Sequence, residues 1–128
     1  MIRPKPLKKG DTIGIIGTCS PPKKERIDPA IKWIKSLGLE VVIGRSVNEN
    51  HGYLCGEDKV RADDLNYMFH NKDIKGIFIA RGGYGAARIL NMIDYDNIKK
   101  NPKILAGYSD VTALHIAINQ KCKMITFH

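Results

Sequence analysis

The chain has 128 residues, 43% of them hydrophobic and 27% charged, which suits one globular domain with a real core. The 21 Lys and Arg against 13 Asp and Glu give a net charge of +8. No basic run reaches five residues and few aromatics stand among the charges, so nucleic acid is not an expected partner, although the surface would steer anionic small substrates. No apolar run approaches the roughly 20 residues of a membrane helix, and residues 13–16 are too short an apolar stretch for a signal peptide, so a cytoplasmic protein with no membrane partner is expected.

In chain order the pattern alternates strand and helix. Residues 12–17 read as a strand, broken by Ser20-Pro21-Pro22. Residues 26–37 read as a helix, with Ile27, Ala30, Ile31, Ile34 and Leu37 on one stripe and Gly38 as its C-cap. A strand over 39–43 leads into a polar connection, 44–56, long enough to carry function. A helix over 57–69, a strand over 76–80, a helix over 84–92 and a short turn over 94–100 follow. A strand over 104–106 then precedes a helix in which Val111, Leu114, Ala117 and Ile118 recur at helical spacing. Residues 123–127 are expected to form a last strand.

This alternation predicts an α/β fold. It has a mostly parallel sheet of about five strands with helices on both faces, a flavodoxin/Rossmann-like three-layer sandwich. Ligands of such sheets bind outside the carboxyl ends of the strands. The loops 17–22, 81–85 and 107–110 leave those ends and should converge.

Ser109 stands at the strand–turn–helix junction of the run Lys103-Ile-Leu-Ala-Gly-Tyr-Ser-Asp-Val-Thr-Ala-Leu-His. Such a junction lifts a hydroxyl out of the sheet and aims backbone N–H groups and the positive end of a helix at what it attacks. A nucleophilic serine needs that exposure and those donors. Serine is equally a preferred N-cap, and Asp110 suits a first helical turn.

Ala80-Arg-Gly-Gly-Tyr-Gly-Ala-Ala-Arg88 reads as strand end, glycine turn and helix start. Gly82, Gly83 and Gly85 let backbone approach a ligand. A phosphate cradle, an oxyanion or carboxylate loop and a plain tight turn all fit. The spacing is neither the dinucleotide fingerprint nor a P-loop. Arg81 could clamp a carboxylate or pair with a local acid.

The three cysteines, Cys19, Cys55 and Cys122, form no pair motif, which fits a reducing compartment. Cys19, in a loop after a strand, is a second candidate nucleophile. A serine nucleophile needs a base. Among the histidines, His115 points away from Ser109, His70 ends a remote helix, and His51 and His128 could reach. Metal-ligand spacing is absent and no cofactor is expected.

Several blocks in order resemble one family. Lys9-Gly-Asp-Thr-Ile-Gly-Ile-Ile, Gly52-Tyr-Leu-Cys-Gly-Glu-Asp, Arg61-Ala-Asp-Asp-Leu-Asn, the Arg81 glycine run, Gly107-Tyr-Ser-Asp-Val-Thr-Ala-Leu-His and Thr126-Phe-His are similar to blocks of the LD-carboxypeptidases. These are serine peptidases that include muramoyltetrapeptide carboxypeptidases and microcin C immunity peptidases. The resemblance implies that Ser109 is the nucleophile and that the amide of Asp110, with one from Gly82 or Gly83, forms the oxyanion hole. It implies Arg81, Tyr84 and Ser20 as substrate contacts, Ser20 standing where the family usually has a serine, while Cys19 replaces another.

The resemblance further implies a murein peptide substrate, a role in peptidoglycan recycling and a homodimer at full length. In the family, the Glu and His that complete the triad come from a C-terminal domain. Residues 1–128 are therefore expected to be the N-terminal nucleophile domain, without that second domain and inactive alone. The alternatives are a peptidase that inactivates a microcin-C-type peptidyl nucleotide and a non-catalytic phosphate- or nucleotide-binding module.

Overall fold

The computed structural model describes residues 1–128. Its four strands are β1 (Thr12–Ile16), β2 (Glu40–Ile43), β3 (Ile74–Ile79) and β4 (Ile104–Ala106). They lie in the order β2-β1-β3-β4, every neighbouring pair parallel. The helices are α1 (Lys24–Ser36), α2 (Asp58–His70), α3 (Tyr95–Lys100) and α4 (Thr112–Cys122). Short 3-10 turns cover Arg45–Asn48, Ala86–Met92 and Ser109–Val111. No helix is long and apolar enough to cross a membrane.

The central strands β1 and β3 are buried on both faces because their sequences are near-continuous apolar runs whose successive side chains point to opposite sides of the sheet. Ile13 and Ile15 of β1, with Val41, Ile43 and Phe78, pack against Ile27, Ile31 and Ile34 of α1. Ile16, Ile77, Ile79 and Leu105 face the opposite layer, built from α2, α3, α4 and residues 86–92. Gly14 sets how close α2 comes, since a Cβ there would lie 2.5 Å from the sulfur of Met68. The expected three-layer α/β sandwich is therefore present.

The strand count is four, not five. Segment 123–127 divides its backbone bonds between two neighbours. Met124 bridges to Ile2, with Ile125 N–H donating to Ile2 O at 2.9 Å, and only Phe127 bridges to Ala106 of β4. Lys123, in the left-handed region at φ 55°, turns the chain sharply after α4. The expected helix over 84–92 is a 3-10 turn, because both its ends are pinned to other elements. Gly85 O accepts from Arg61 and Met92 O accepts from Asn66.

This order places the crossovers from β1 and β3 on different sides of the sheet. The chain leaves β1 toward β2 and leaves β3 toward β4. Between β1 and β3 lies a topological switch point, the usual place for a ligand in an open α/β sheet.

Candidate active site

The loop after β1 is set by its neighbours. Gly17 N–H donates to Ser46 Oγ at 2.8 Å, and Ser46 in turn donates its N–H (2.8 Å) and its hydroxyl to Asp64 of α2. Cys19 O accepts from Cys55 N–H at 2.9 Å, and Ser20 N–H donates to Gly82 O at 3.0 Å. The loops after β1 and β3 are thus sewn together at the switch point.

Ser109 follows β4 and lies in the left-handed region at φ 63°. Such a backbone costs a non-glycine residue about 1–3 kcal/mol and persists only where its surroundings enforce it. Thr112 Oγ1 donates to Ser109 O at 2.6 Å, His115 Nε2 lies 2.7 Å from Gly107 O, and Gly107 N–H donates to Phe127 O at 3.0 Å. The side chain is exposed, and its hydroxyl makes no bond within the chain and caps no helix. The strained turn therefore presents a free hydroxyl.

Gly82 lies directly against it. A Cβ on Gly82 would be 2.8 Å from Ser109 Cβ and 3.0 Å from its Oγ. Gly83 takes φ +102°, and a Cβ there would overlap the Ser20 hydroxyl. The backbone N–H groups of Gly82, Gly83 and Asp110 have no acceptor within the chain. Exposed hydroxyl and unbonded amides meet where the loops after β3 and β4 touch.

The remaining expected site residues have definite places. Asp110 adds more than its amide, since its carboxylate accepts Ala86 N–H at 2.9 Å and joins the two loops. Ser20 Oγ accepts Tyr84 N–H at 3.1 Å, so this hydroxyl braces the glycine loop. Arg81 has no acidic partner. Its exposed guanidinium donates to Pro21 O at 2.7 Å and keeps further N–H groups free. Tyr84 is exposed and meets Tyr53 edge-on at 5.3 Å. A cleft of about 420 Å³ opens beside Pro21 and Pro22, with Lys24, Asp28, Val47 and Glu49 among its walls, and Ser109 is not one of them.

Cys19 does not fit a nucleophile. It is fully buried, and burial pushes its thiol up to about 12. The thiolate, the reactive form, is therefore disfavoured at Cys19. All three cysteines are buried. Native protein treated with iodoacetamide near pH 8 is expected to stay unmodified by mass spectrometry, and denatured protein to take up one label at each cysteine. Rapid native labelling at Cys19 would reopen its case.

None of the four histidines is hydrogen-bonded to Ser109. His51 pairs with Leu54 in the long connection, His70 ends α2, and His128 lies beside His115 with ring centres 6.1 Å apart. His115 is turned toward Gly107 O rather than toward the Ser109 hydroxyl.

Arg61 has no assigned role in the sequence reading, yet it organises the site. Its side chain is 0% exposed. Nε donates to Gly56 O at 3.1 Å, one Nη to Thr18 O and Gly85 O at 2.9 Å each, and the other to Asp58. Asp58 also takes a bidentate pair from Arg88, both bonds 2.9 Å, which holds its carboxyl below the usual range. The signal for Arg61 was its phase, since it falls on the same stripe as Leu65 and Met68 at i, i+4 and i+7.

An exposed serine in a left-handed turn, at the carboxyl edge of a doubly wound parallel sheet, defines an α/β domain with a candidate nucleophile. Residues 13–128 match the LD-carboxypeptidase N-terminal domain. The chain belongs to the LD-carboxypeptidase family. It is 45% identical over 126 residues to a "Probable murein peptide carboxypeptidase" of Bacillus subtilis (strain 168), covering 98% of this chain and 40% of that protein. A solved structure of the microcin C7 self-immunity protein MccF with adenosine monophosphate superposes with a TM-score of 0.93 at 36% identity, covering 96% of this chain and 38% of the other. An MccF-like protein from Bacillus anthracis str. Ames gives a TM-score of 0.94 at 33% identity over 98% of this chain and 39% of its own. The chain thus spans about two fifths of the length of these relatives.

Proposed function

We propose that this domain carries the nucleophile of a serine carboxypeptidase that releases the terminal D-amino acid from a murein tetrapeptide in the cytoplasm. The observation that carries the reading is Ser109 at φ 63°, exposed and packed against Gly82. Ser109 Oγ gives its proton to the base and attacks the scissile carbonyl. The C–N bond breaks as the base returns that proton to the departing amine of the D-amino acid, and water then hydrolyses the acyl ester to restore the serine. The amide of Asp110, with that of Gly83 or Gly82, holds the oxyanion; one such donor is worth roughly 100- to 1000-fold in turnover. Arg81 and Tyr84 contact the substrate, and Ser20 shapes their loop.

As the family resemblance implies, the base and its orienting carboxylate come from a C-terminal domain outside residues 1–128; in keeping with this, none of the four histidines here is hydrogen-bonded to Ser109. Residues 1–128 alone are then inactive, and the full-length enzyme is a homodimer. A fluorophosphonate is expected to label full-length protein at Ser109, to label residues 1–128 far more slowly, and to leave Ser109→Ala unlabelled. Labelling of the full-length protein at another residue would overturn the assignment.

The likeness to MccF bound to adenosine monophosphate supports a second reading, cleavage of a peptidyl nucleotide of the microcin C type. Comparing kcat/KM for a murein tetrapeptide and an aminoacyl sulfamoyl adenosine analogue separates the two. The unbonded glycine amides also suit a non-catalytic phosphate cradle. Inorganic phosphate that binds the wild-type full-length protein but not a Gly83→Ala variant, together with no fluorophosphonate labelling of Ser109, would favour that module.

A further inference from the structure

We propose that His115 is a positioning residue for Ser109, acting through the carbonyl of Gly107; this rests on Ser109 being the nucleophile. His115 lies on α4 and is 8% exposed. A carbonyl oxygen only accepts, so the 2.7 Å contact to Gly107 O requires the proton on Nε2. The other ring nitrogen, Nδ1, is buried with no hydrogen-bond partner. An unmet buried polar atom is unfavourable. The buried neighbours nearest this face of α4, Leu114 and Ile118, show that an apolar side chain would fit the layer without that cost. Within the chain, the offsetting gain is the bond to Gly107.

That bond acts two residues before Ser109. The Gly107 peptides are held from both sides, with N–H donating to Phe127 O and C=O accepting from His115. Val111 and Ile79 pack closely on Gly107, since a Cβ there would lie 2.9 Å from Val111 Cγ1 and 3.2 Å from Ile79 Cβ. Tyr108 is extended, at φ −139° and ψ 177°, so it transmits the anchor directly to Ser109. Thr112 Oγ1 holds the other side of the turn at Ser109 O. The left-handed serine is therefore clamped before and after, and His115 supplies the side-chain part of the first clamp.

The test uses the full-length protein and four variants. His115→Leu removes the donor. His115→Gln keeps an amide N–H near the position of Nε2, and His115→Asn is too short to reach. Ser109→Ala reports on the underlying reading. A misplacement of about 1 Å at a reacting group can cost about 100-fold in rate. His115→Leu is therefore expected to lower kcat about 10- to 100-fold with KM within about threefold, and to slow fluorophosphonate labelling of Ser109 in parallel. His115→Gln should recover most of kcat and His115→Asn should not.

A His115→Leu protein with wild-type kcat, alongside an inactive Ser109→Ala, overturns the positioning role and leaves the nucleophile intact. An active Ser109→Ala overturns both. If His115→Leu fails to fold, the Gln and Asn variants decide. Equal kcat in those two overturns the proposal, and recovery by Gln alone sustains it.

Discussion

Ser109→Ala, made in the full-length protein, is expected to lower turnover by about a millionfold and to leave substrate affinity nearly unchanged. The hydroxyl is exposed and bonded to nothing in the chain, so removing it disturbs neither the turn nor the amides of Gly82, Gly83 and Asp110. Stability should stay close to wild type for the same reason. Ser109→Gly separates chemistry from strain. Glycine enters the left-handed region freely, whereas alanine and serine do not. At φ 63° the glycine variant should therefore be the more stable of the two, by about 1 kcal/mol. Both variants should be inactive. A glycine variant less stable than the alanine variant would show that residue 109 carries no backbone strain, and the strained-nucleophile geometry would fall. Turnover retained by Ser109→Ala would remove the nucleophile itself.

The placement of Ser109 was legible because two periods meet there. The apolar run 104–106 ends at Gly107, and helical spacing begins at Val111, so a turn between them was forced. The positive φ was not legible, since a serine before a helix is as readily a cap. It follows from anchors far apart in sequence, Gly82 across the site and Phe127 at the edge of the sheet. The fifth strand failed on the same ground. Residues 123–127 have strand-like composition, but Ile2 competes with β4 for their backbone, and a partner over 120 residues away leaves no local trace. Residues 84–92 read as a helix, and bonds from Arg61 and Asn66 at the two ends drew them into a tighter turn. From the sequence His115 is expected only to point away from Ser109; its bond to Gly107 links two elements and is visible only in the fold.

Arg61→Ala is expected to be the most destabilising single change near the site, lowering the unfolding free energy by about 3–5 kcal/mol. Every donor group of this buried guanidinium is used, and three of its four partners are backbone carbonyls in irregular segments. After truncation, Gly85 O keeps the N–H of Arg88 at 3.1 Å and Asp58 keeps its bidentate pair with Arg88. The carbonyls of Thr18 and Gly56 lose the partner that Arg61 supplied, each at a cost of about 1–3 kcal/mol if water does not reach it. The lost volume adds a cavity between Leu54 and α2. Arg61→Lys should recover only part of the loss, because a single ammonium cannot reach Gly56, Thr18 and Gly85 together. A drop in the urea midpoint at unchanged slope is the expected signature. Activity should fall as well, since Thr18 precedes the Cys19–Ser20 brace and Gly85 closes the glycine loop, so the two loops that flank the switch point lose their common anchor. A loss of less than about 1 kcal/mol would mean that water replaces the guanidinium at little cost, and that the loops are held by Ser20, Asp110 and the Asp64–Ser46 pair instead.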